Sequence, residues 1–315
     1  MDALERITTA IKAAGSVIDL KEMVALYEPL HETEPYPNLI VRRDLAYGPH
    51  ERHRADLFVL PGGDRRPVLL FVHGGGYIAG DRRVRPGSPF YDNVALWAAR
   101  HGFLAVNMSY RLAPAAGWPA VQEDIADALR WLAANTSSFG GDPQSVVLMG
   151  HSAGATHVAC FLGQAPETEL RSIKAAILLS ATLRAIRDDE IGPEDGPFVG
   201  HERAYFGADP SAYDERGALP GLPGCGVPVM AISPEFDPSF FQRHHDNLAR
   251  LLTKAGSIHQ AERLPGHNHM SQIFCLNTRD TRLSEAILGF VRRAFDDASR
   301  GDAAAAPVDH IHGAR

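Results

Sequence analysis

The chain has 315 residues, of which 45% are hydrophobic and 22% are charged, and its formal net charge is −7. This net negative charge argues against a nucleic-acid partner, because phosphate binding requires grouped Lys and Arg side chains. No apolar stretch approaches the roughly 18 residues of a membrane span, and the N-terminus lacks the pattern of a secretory leader. We therefore expect a cytoplasmic protein that has no membrane partner.

The cysteines support the same compartment. Cys160, Cys225 and Cys275 are odd in number, far apart, and without a C-x-x-C pair. This pattern is typical of free thiols in a reducing environment. It also argues against a structural metal site, which would need closely spaced ligand pairs.

The N-terminal 40 residues are predicted to be helical. Apolar residues recur at helical spacing from Leu4 to Ala14 and again from Met23 to Leu30. Prolines at positions 29 and 35 interrupt the pattern that follows. We expect these helices, within residues 1–40, to precede the core of the domain.

From about residue 52, strand-like and helix-like segments alternate along the chain. The run PVLLFV at 67–72 suits a strand that is buried on both faces. Strands are predicted at 52–59, 67–72, 103–110, 145–150, 173–180, 227–233 and up to about 264, and helices at 93–100, 119–135, after 152, 240–255 and 281–295. This alternation predicts an α/β fold with a mostly parallel central sheet and helices on both faces.

Residues 184–226 interrupt the alternation and are rich in Gly, Pro, Asp and Glu. A structureless loop of this length is improbable inside a compact domain, so we predict an inserted cap or lid. We interpret the chain as a single domain whose catalytic core comprises residues 50–183 and 227–297. Residues 298–315 are small and polar, and we predict a flexible tail there.

The strongest local motif is GHSAG at 150–154, which follows an apolar strand and precedes a helical stretch. In this strand–turn–helix context, small flanking residues allow a sharp turn that pushes a serine into a strained, exposed position. The N-terminus of the following helix adds positive potential where negative charge develops during a reaction. Ser152 is therefore the predicted nucleophile, and an ordinary serine N-cap in a glycine-rich turn is the alternative.

The segment HGGGY at 73–77 directly follows a predicted strand. Consecutive glycines let the backbone approach a ligand with free N–H groups. Such a loop forms an oxyanion hole together with the residue after the nucleophile, so we predict Gly75, Gly76 and Ala153 as the donors. His73 is predicted to hold the loop by hydrogen bonding. A phosphate-binding loop is disfavoured, because neither G-x-G-x-x-G nor a following Lys-Ser/Thr is present.

A serine hydroxyl needs a base to remove its proton, and the base needs a carboxylate to orient it. Asp237 lies at the C-terminal end of a predicted strand, where such sheets place their sites, and is the favoured acid over Glu235 and Asp246. The loop after the last strand offers two histidines, His267 and His269. The pattern of residues alone leaves both open as the base.

These motifs, in this order, resemble the hormone-sensitive-lipase-like branch of the α/β-hydrolases, a family of carboxylesterases. The resemblance covers roughly residues 50–295 and rests on five segments: HGGGY (73–77), YRLAP (110–114), GGDP (140–143), GHSAG (150–154) and EFDP (235–238). It implies the α/β-hydrolase fold, with an N-terminal helical cap over the acyl pocket. It also implies that Asp237 is the acid, and that Gly75 and Gly76 donate to the oxyanion.

The chain departs from that branch at His151 and Ala155, where an Asp and a second Gly are usual. In this respect GHSAGA is similar to related esterases and to the kynurenine formamidases. The formamidases place the base in a short His-Phe or Asn-His-Phe context. The segment NHM at 268–270 is closest to that context. This resemblance favours His269 over His267.

The implied function is hydrolysis of small carboxylic esters by a Ser-His-Asp triad through an acyl-enzyme, without a metal or an organic cofactor. An arylformamidase or amidase that uses the same triad is the main alternative. A catalytically dead receptor on this fold typically loses the base, and is disfavoured because Ser152, Asp237 and a suitable histidine are all present. The polar character of residues 184–226 disfavours a lipase that is activated at a lipid interface. The expected partner is a small-molecule ester, and a homodimer is the assembly considered.

Overall fold

The computed structural model describes residues 3–192, 196–219, 221–255 and 259–305. Its strands are β1 (Ile40–Ala46), β2 (Arg54–Val59), β3 (Arg66–Val72), β4 (Leu104–Met108), β5 (Gly141–His151), β6 (Ile173–Leu179), β7 (Val229–Phe236) and β8 (Gln260–Asn268). Its α-helices are α1 (Ala3–Ala14), α2 (Leu20–Tyr27), α3 (Asp92–Arg100), α4 (Ala120–Asn135), α5 (Ala153–Gln164), α6 (Glu167–Leu170), α7 (Gly196–Phe206), α8 (Tyr213–Arg216), α9 (Ser239–Ala255), α10 (Ser271–Phe274) and α11 (Arg282–Ala305).

Within the described residues the strands form one eight-stranded sheet in the order β1-β2-β4-β3-β5-β6-β7-β8. The pairs β1–β2 and β2–β4 are antiparallel, and every pair from β4 to β8 is parallel. Parallel strands joined by helices bring their carboxyl ends to one edge of the sheet. The predicted α/β fold with a mostly parallel sheet is confirmed.

The sheet separates two hydrophobic cores, and β3 contributes to both because successive side chains point to opposite faces. Val68, Leu70 and Val72 pack in the core that includes α4 and α5. Leu69 and Phe71 pack in the core that includes α3 and α11. All five are fully buried, and each stabilises the fold by roughly 1.5–3 kcal/mol relative to exposure. Helices therefore cover both faces.

Two regions differ from the sequence-based expectation. The edge strand β1 is not indicated by the sequence, because its side chains are only half-buried or exposed and Arg42, Arg43 and Asp44 interrupt any alternation. At the other end, the flexible tail is predicted from residue 298, whereas α11 continues to Ala305. The remaining predicted tail, residues 306–315, lies outside the described residues.

The segment between β6 and β7, predicted as an insertion, carries α7, α8 and short 3-10 turns. Charged contacts hold it together: Arg184 forms two hydrogen bonds with the Glu190 carboxylate, at 2.7 and 2.6 Å. Arg187 donates to Asp214 at 2.5 Å. These pairs fix the loop that precedes α7 against the rest of the insertion.

Among the described residues, no helix combines the length and the apolar character required to cross a bilayer. The three cysteines are free thiols, and Cys160 and Cys275 are buried. Burial raises the pKa of the Cys160 thiol to about 12, so this side chain is a neutral packing group.

We expect the stability of the protein to depend on pH, because three of its histidines are fully buried. Burial lowers the pKa of His73 to about 4 and the pKa values of His151 and His157 to about 3, from the ordinary 6.5. Below about pH 6.5 the unfolded chain takes up protons at these side chains that the folded chain does not bind. The free energy of unfolding therefore decreases as the pH falls from about 6.5 towards 4, by up to about 1.4 kcal/mol per pH unit for each histidine.

We expect urea unfolding at pH 7.5, 6.0 and 5.0 to give this decrease. His157 tests it directly, because its ring lies among Tyr77, Tyr110 and Tyr205 and neither ring nitrogen has a hydrogen-bond partner among the described residues. In the variant His157→Phe, the slope of the free energy of unfolding against pH should be smaller by about 1.4 kcal/mol per pH unit, which is the contribution of one proton. An unchanged slope in this variant would contradict the assignment of a neutral buried imidazole.

Candidate active site

Ser152 occupies a sharp turn between the end of β5 and the start of α5. Its backbone has φ 56° and ψ −126°, a left-handed conformation that is strained for a residue with a side chain. A Cβ on Gly150 would lie 2.5 Å from the carbonyl oxygen of Gly154, and a Cβ on Gly154 would lie 2.2 Å from that of Val72. Both positions must be glycine, so the GHSAG motif specifies this turn through its close backbone contacts.

The structure brings the predicted nucleophile, base and acid into one hydrogen-bonded chain. The Nε2 atom of His269 lies 2.9 Å from the Ser152 Oγ, and its Nδ1 lies 2.7 Å from Asp237 Oδ1. An ionised carboxylate only accepts hydrogen bonds, so Nδ1 carries the proton. Nε2 of the neutral ring is then free to accept the proton of the serine hydroxyl.

The carboxylate of Asp237 is fully buried and its second oxygen is also satisfied. Asp237 Oδ2 accepts hydrogen bonds from the hydroxyls of Ser180, at 2.6 Å, and Ser233, at 2.9 Å. The side-chain amide of Gln272 donates in turn to Ser180 Oγ. These partners are absent from the sequence-based prediction, although Ser180 and Ser233 are polar residues at the carboxyl ends of apolar strand segments.

The alternative acids and the alternative base have other partners. His267 lies with its Nε2 3.2 Å from Asp280 Oδ2. Glu235 accepts a hydrogen bond from the backbone N–H of Gly266 in β8 at 2.8 Å. The exposed Asp246 pairs with Arg263 at 2.6 Å. None of these contacts connects to the hydroxyl of Ser152.

The glycine loop after β3 adopts conformations that require glycine. Gly75 has φ 142° and Gly76 has φ 60°, and a Cβ on Gly75 would lie 2.0 Å from the carbonyl oxygen of Ala79. Within the described residues, the N–H groups of Gly75 and Gly76 donate to no backbone acceptor. Ala153 opens α5, so its N–H has no partner within the helix. All three predicted donors line the same cavity as Ser152.

His73 supports this loop from below. Its Nδ1 lies 2.7 Å from the carbonyl oxygen of Gly74, and its ring stacks on Tyr110 with 4.3 Å between centroids. The hydroxyl of Tyr110 donates to the carbonyl oxygen of His73 at 2.7 Å. These contacts fix the first residues of the loop against β4 and its following segment.

His151, the residue before the nucleophile, contacts the loop that carries His269. Its Nε2 lies 2.9 Å from the carbonyl oxygen of His269, which also accepts from Gln272 at 3.2 Å. A carbonyl only accepts, so Nε2 carries the proton, and burial keeps the ring neutral by lowering the pKa of His151 to about 3. An ionised aspartate here would oppose one acceptor to another, whereas histidine supplies the required donor.

This contact predicts a positioning effect of His151 on the reaction. In the variant His151→Leu we expect kcat on an ester to fall about ten- to a hundredfold with little change in KM, because a small displacement of the His269 ring is costly. The variant His151→Gln retains a donor and should recover most of the lost kcat. Steady-state kinetics on the three proteins checks this, and full kcat in His151→Leu would contradict it.

The cavity at Ser152 has a volume of about 230 Å³ and an apolar wall. Phe241 stacks on the His269 ring with 4.5 Å between centroids, which shields the imidazole. Apolar side chains come from the N-terminal segment, the residue before α3, the insertion, α9 and the residue before α10, namely Ile18, Leu20, Tyr91, Phe198, Phe240, Phe241 and Met270. Both segments predicted as caps therefore line the cavity.

A serine on a strand–turn–helix elbow, at the carboxyl edge of a mostly parallel sheet covered by helices, defines an α/β-hydrolase. A family model described as alpha/beta hydrolase fold matches residues 69–273, and the chain belongs to this family. The resemblance predicted from the motifs is thus confirmed.

The chain is similar to proteins of known name. It is 25% identical over 264 residues to esterase LipQ of Mycobacterium tuberculosis, covering 79% of this chain and 61% of that protein. It is 35% identical over 123 residues to a probable isoprenylcysteine alpha-carbonyl methylesterase of Arabidopsis thaliana, covering 39% of this chain and 28% of the relative. The matched regions thus span less than two thirds of these relatives.

The fold is also similar to solved structures. Esterase B from Lactobacillus rhamnosis superposes with a TM-score of 0.71 at 18% identity, covering 96% of this chain and 97% of that one. The hyperthermophilic esterase from the archaeon Pyrobaculum calidifontis gives a TM-score of 0.62 at 22% identity, covering 96% and 94%. At these sequence identities the similarity shows a shared fold alone.

Proposed function

We propose that this chain is a carboxylic ester hydrolase that cleaves small esters through a triad of Ser152, His269 and Asp237. The observation that carries the proposal is the continuous hydrogen-bonded chain from the serine hydroxyl to a buried carboxylate. Beside it lie the Gly75 and Gly76 amides, which have no backbone acceptor in the described part of the chain. The two relatives named above carry the names of an esterase and a probable methylesterase, which supports the same class of reaction.

In the proposed acylation step, Ser152 Oγ attacks the carbonyl carbon of the ester while His269 Nε2 takes the hydroxyl proton. The oxygen that becomes negative receives hydrogen bonds from the amides of Gly75, Gly76 and Ala153. Removing one such donor typically costs about 2.7–4 kcal/mol of transition-state stabilisation. The tetrahedral intermediate collapses when His269 protonates the departing alcohol.

Deacylation repeats these steps with water as the nucleophile. His269 deprotonates the water, which attacks the acyl-enzyme, and then returns the proton to Ser152 Oγ as the acid leaves. Asp237 holds the imidazole in the required tautomer and stabilises the positive charge that forms on it. The hydroxyls of Ser180 and Ser233 keep the carboxylate oriented throughout.

A fluorophosphonate probe and a substrate panel test the proposal. The probe should give one covalent adduct, located on Ser152 by mass spectrometry of the peptides. In a panel of 4-nitrophenyl esters, kcat/KM should be highest for short acyl groups, because the cavity holds about 230 Å³. No adduct and no ester turnover would refute the proposal, and faster turnover of N-formyl anilides would replace esterase by formamidase.

A further inference from the structure

The polar side chains of the cavity wall differ in whether they are already engaged. Ser152 and His269 bond each other, and His151 donates to a carbonyl of the loop. The hydroxyl of Tyr77 lies 3.3 Å from Thr182 Oγ1. These groups already have hydrogen-bond partners within the protein, so outside the reaction itself they have little capacity to bind a ligand.

His201 differs from these groups in its hydrogen bonding. It lies on α7 of the insertion, is half-buried, and lines the cavity. Its Nδ1 is 3.0 Å from the position that a Cβ on Gly76 would occupy, so the imidazole lies directly beside the oxyanion loop. Among the residues that the structure describes, neither ring nitrogen has a protein hydrogen-bond partner. The adjacent Glu202, by contrast, accepts from the amide of Ile186 at 2.8 Å.

The lack of a hydrogen-bond partner for the His201 imidazole weakens binding of any ligand that does not supply one. In the free protein, water reaches a half-buried imidazole and satisfies it. A substrate that fills an aromatic cavity expels this water, and an unmatched polar group then costs about 1–3 kcal/mol. A ligand that carries an acceptor at the right place avoids the cost, and sites built in this way discriminate against analogues that lack the polar atom.

We propose that His201 is a specificity-determining residue that donates a hydrogen bond to an ether or carbonyl oxygen located within a few atoms of the scissile ester carbonyl. The proposal rests on the ester hydrolase function proposed above and deepens it. The preferred substrates are short, uncharged esters that carry an additional oxygen close to the reacting carbonyl. The remaining hydrocarbon packs on the aromatic wall formed by Phe198 and Phe240.

A pair of isosteric esters tests the proposal. The acyl groups of 4-nitrophenyl butyrate and 4-nitrophenyl methoxyacetate have the same length, and an oxygen replaces one methylene in the second. The variant His201→Phe keeps an aromatic ring and removes the donor. We expect its loss of kcat/KM to be about tenfold greater on the methoxyacetate, as for one lost hydrogen bond. The ratio of the two losses cancels the intrinsic reactivity of the esters.

Two controls sharpen the comparison. Phe198→Leu changes the same helix and the same cavity, and should affect both esters equally. Butyl benzoate and 2-methoxyethyl benzoate place the additional oxygen in the alcohol, and so identify the side of the ester on which His201 acts. Equal losses on the two members of both pairs in His201→Phe would overturn the proposal.

A binding measurement separates this proposal from the catalytic one. The amides N-phenylbutyramide and N-phenylmethoxyacetamide are titrated into Ser152→Ala, with and without His201→Phe, and their Kd values are measured by NMR. Tighter binding of the methoxyacetamide that disappears with His201→Phe supports the assignment even if the protein hydrolyses neither ester, in which case only the proposed esterase function fails. Equal Kd values in all four combinations, together with equal losses on the two benzoates, refute the role of His201.

Discussion

Replacing Ser152 by alanine is expected to lower kcat on a 4-nitrophenyl ester by about 10⁶-fold, because the members of a triad act as a unit and the rest cannot form an acyl-enzyme. The fold should persist. The substitution removes one oxygen that faces a cavity, and the turn itself is specified by Gly150 and Gly154. Steady-state kinetics and a circular dichroism melt check both halves of this expectation.

A matched serine supplies the control. Ser138 is exposed and its hydroxyl bonds the carbonyl oxygen of Asn135 at 2.7 Å, far along the chain from the elbow. Ser138→Ala should keep full activity and full labelling by the fluorophosphonate probe. If Ser152→Ala instead retains activity within tenfold of the parent protein, the nucleophile is another residue.

The second large effect distinguishes two histidines two residues apart, His267 in β8 and His269 just after its end. His269→Gln is expected to lower kcat by about 10⁴- to 10⁶-fold, because it removes the base that links Ser152 to Asp237. His267→Gln should keep kcat within a few-fold. Its expected effect is on stability, a loss of about 1–3 kcal/mol, because the imidazole of His267 contacts Asp280 in a buried setting.

The two variants carry the same chemical change two residues apart, so differences in handling or expression do not explain opposite outcomes. Kinetics on the ester and urea unfolding of each variant provide the two readouts. A variant His267→Gln that is stable but inactive, together with an active His269→Gln, would reverse the assignment of the base.

The sequence leaves this choice open for a physical reason. Residues two apart point to the same face of a strand, so the alternation of side chains along β8 does not distinguish His267 from His269. The strand ends at Asn268, and the change of direction there turns the His269 imidazole towards Ser152. The family resemblance, rather than periodicity, favours the histidine that the structure places in the chain of hydrogen bonds.

Local patterns predict most of the core but not its long-range partners. Apolar runs and glycine motifs identify the central strands and the Ser152 elbow, because those features depend on residues close together in the sequence. The hydroxyl partners of Asp237 come from β7 and from the residue after β6, and their convergence depends on strand order. Composition indicates the insertion at 184–226, but no signal within it indicates that His201 faces the cavity.

The close contacts at Gly150 and Gly154 have a consequence for protein engineering. A side chain at either position would clash with main-chain oxygens. Every residue has a main-chain oxygen, so no compensating substitution elsewhere can remove the clash. Random mutagenesis should therefore recover almost no active clones altered at these two codons. Libraries intended to broaden the range of accepted compounds are better directed at α7 and the N-terminal segment, which form the wall of the cavity without supporting the turn.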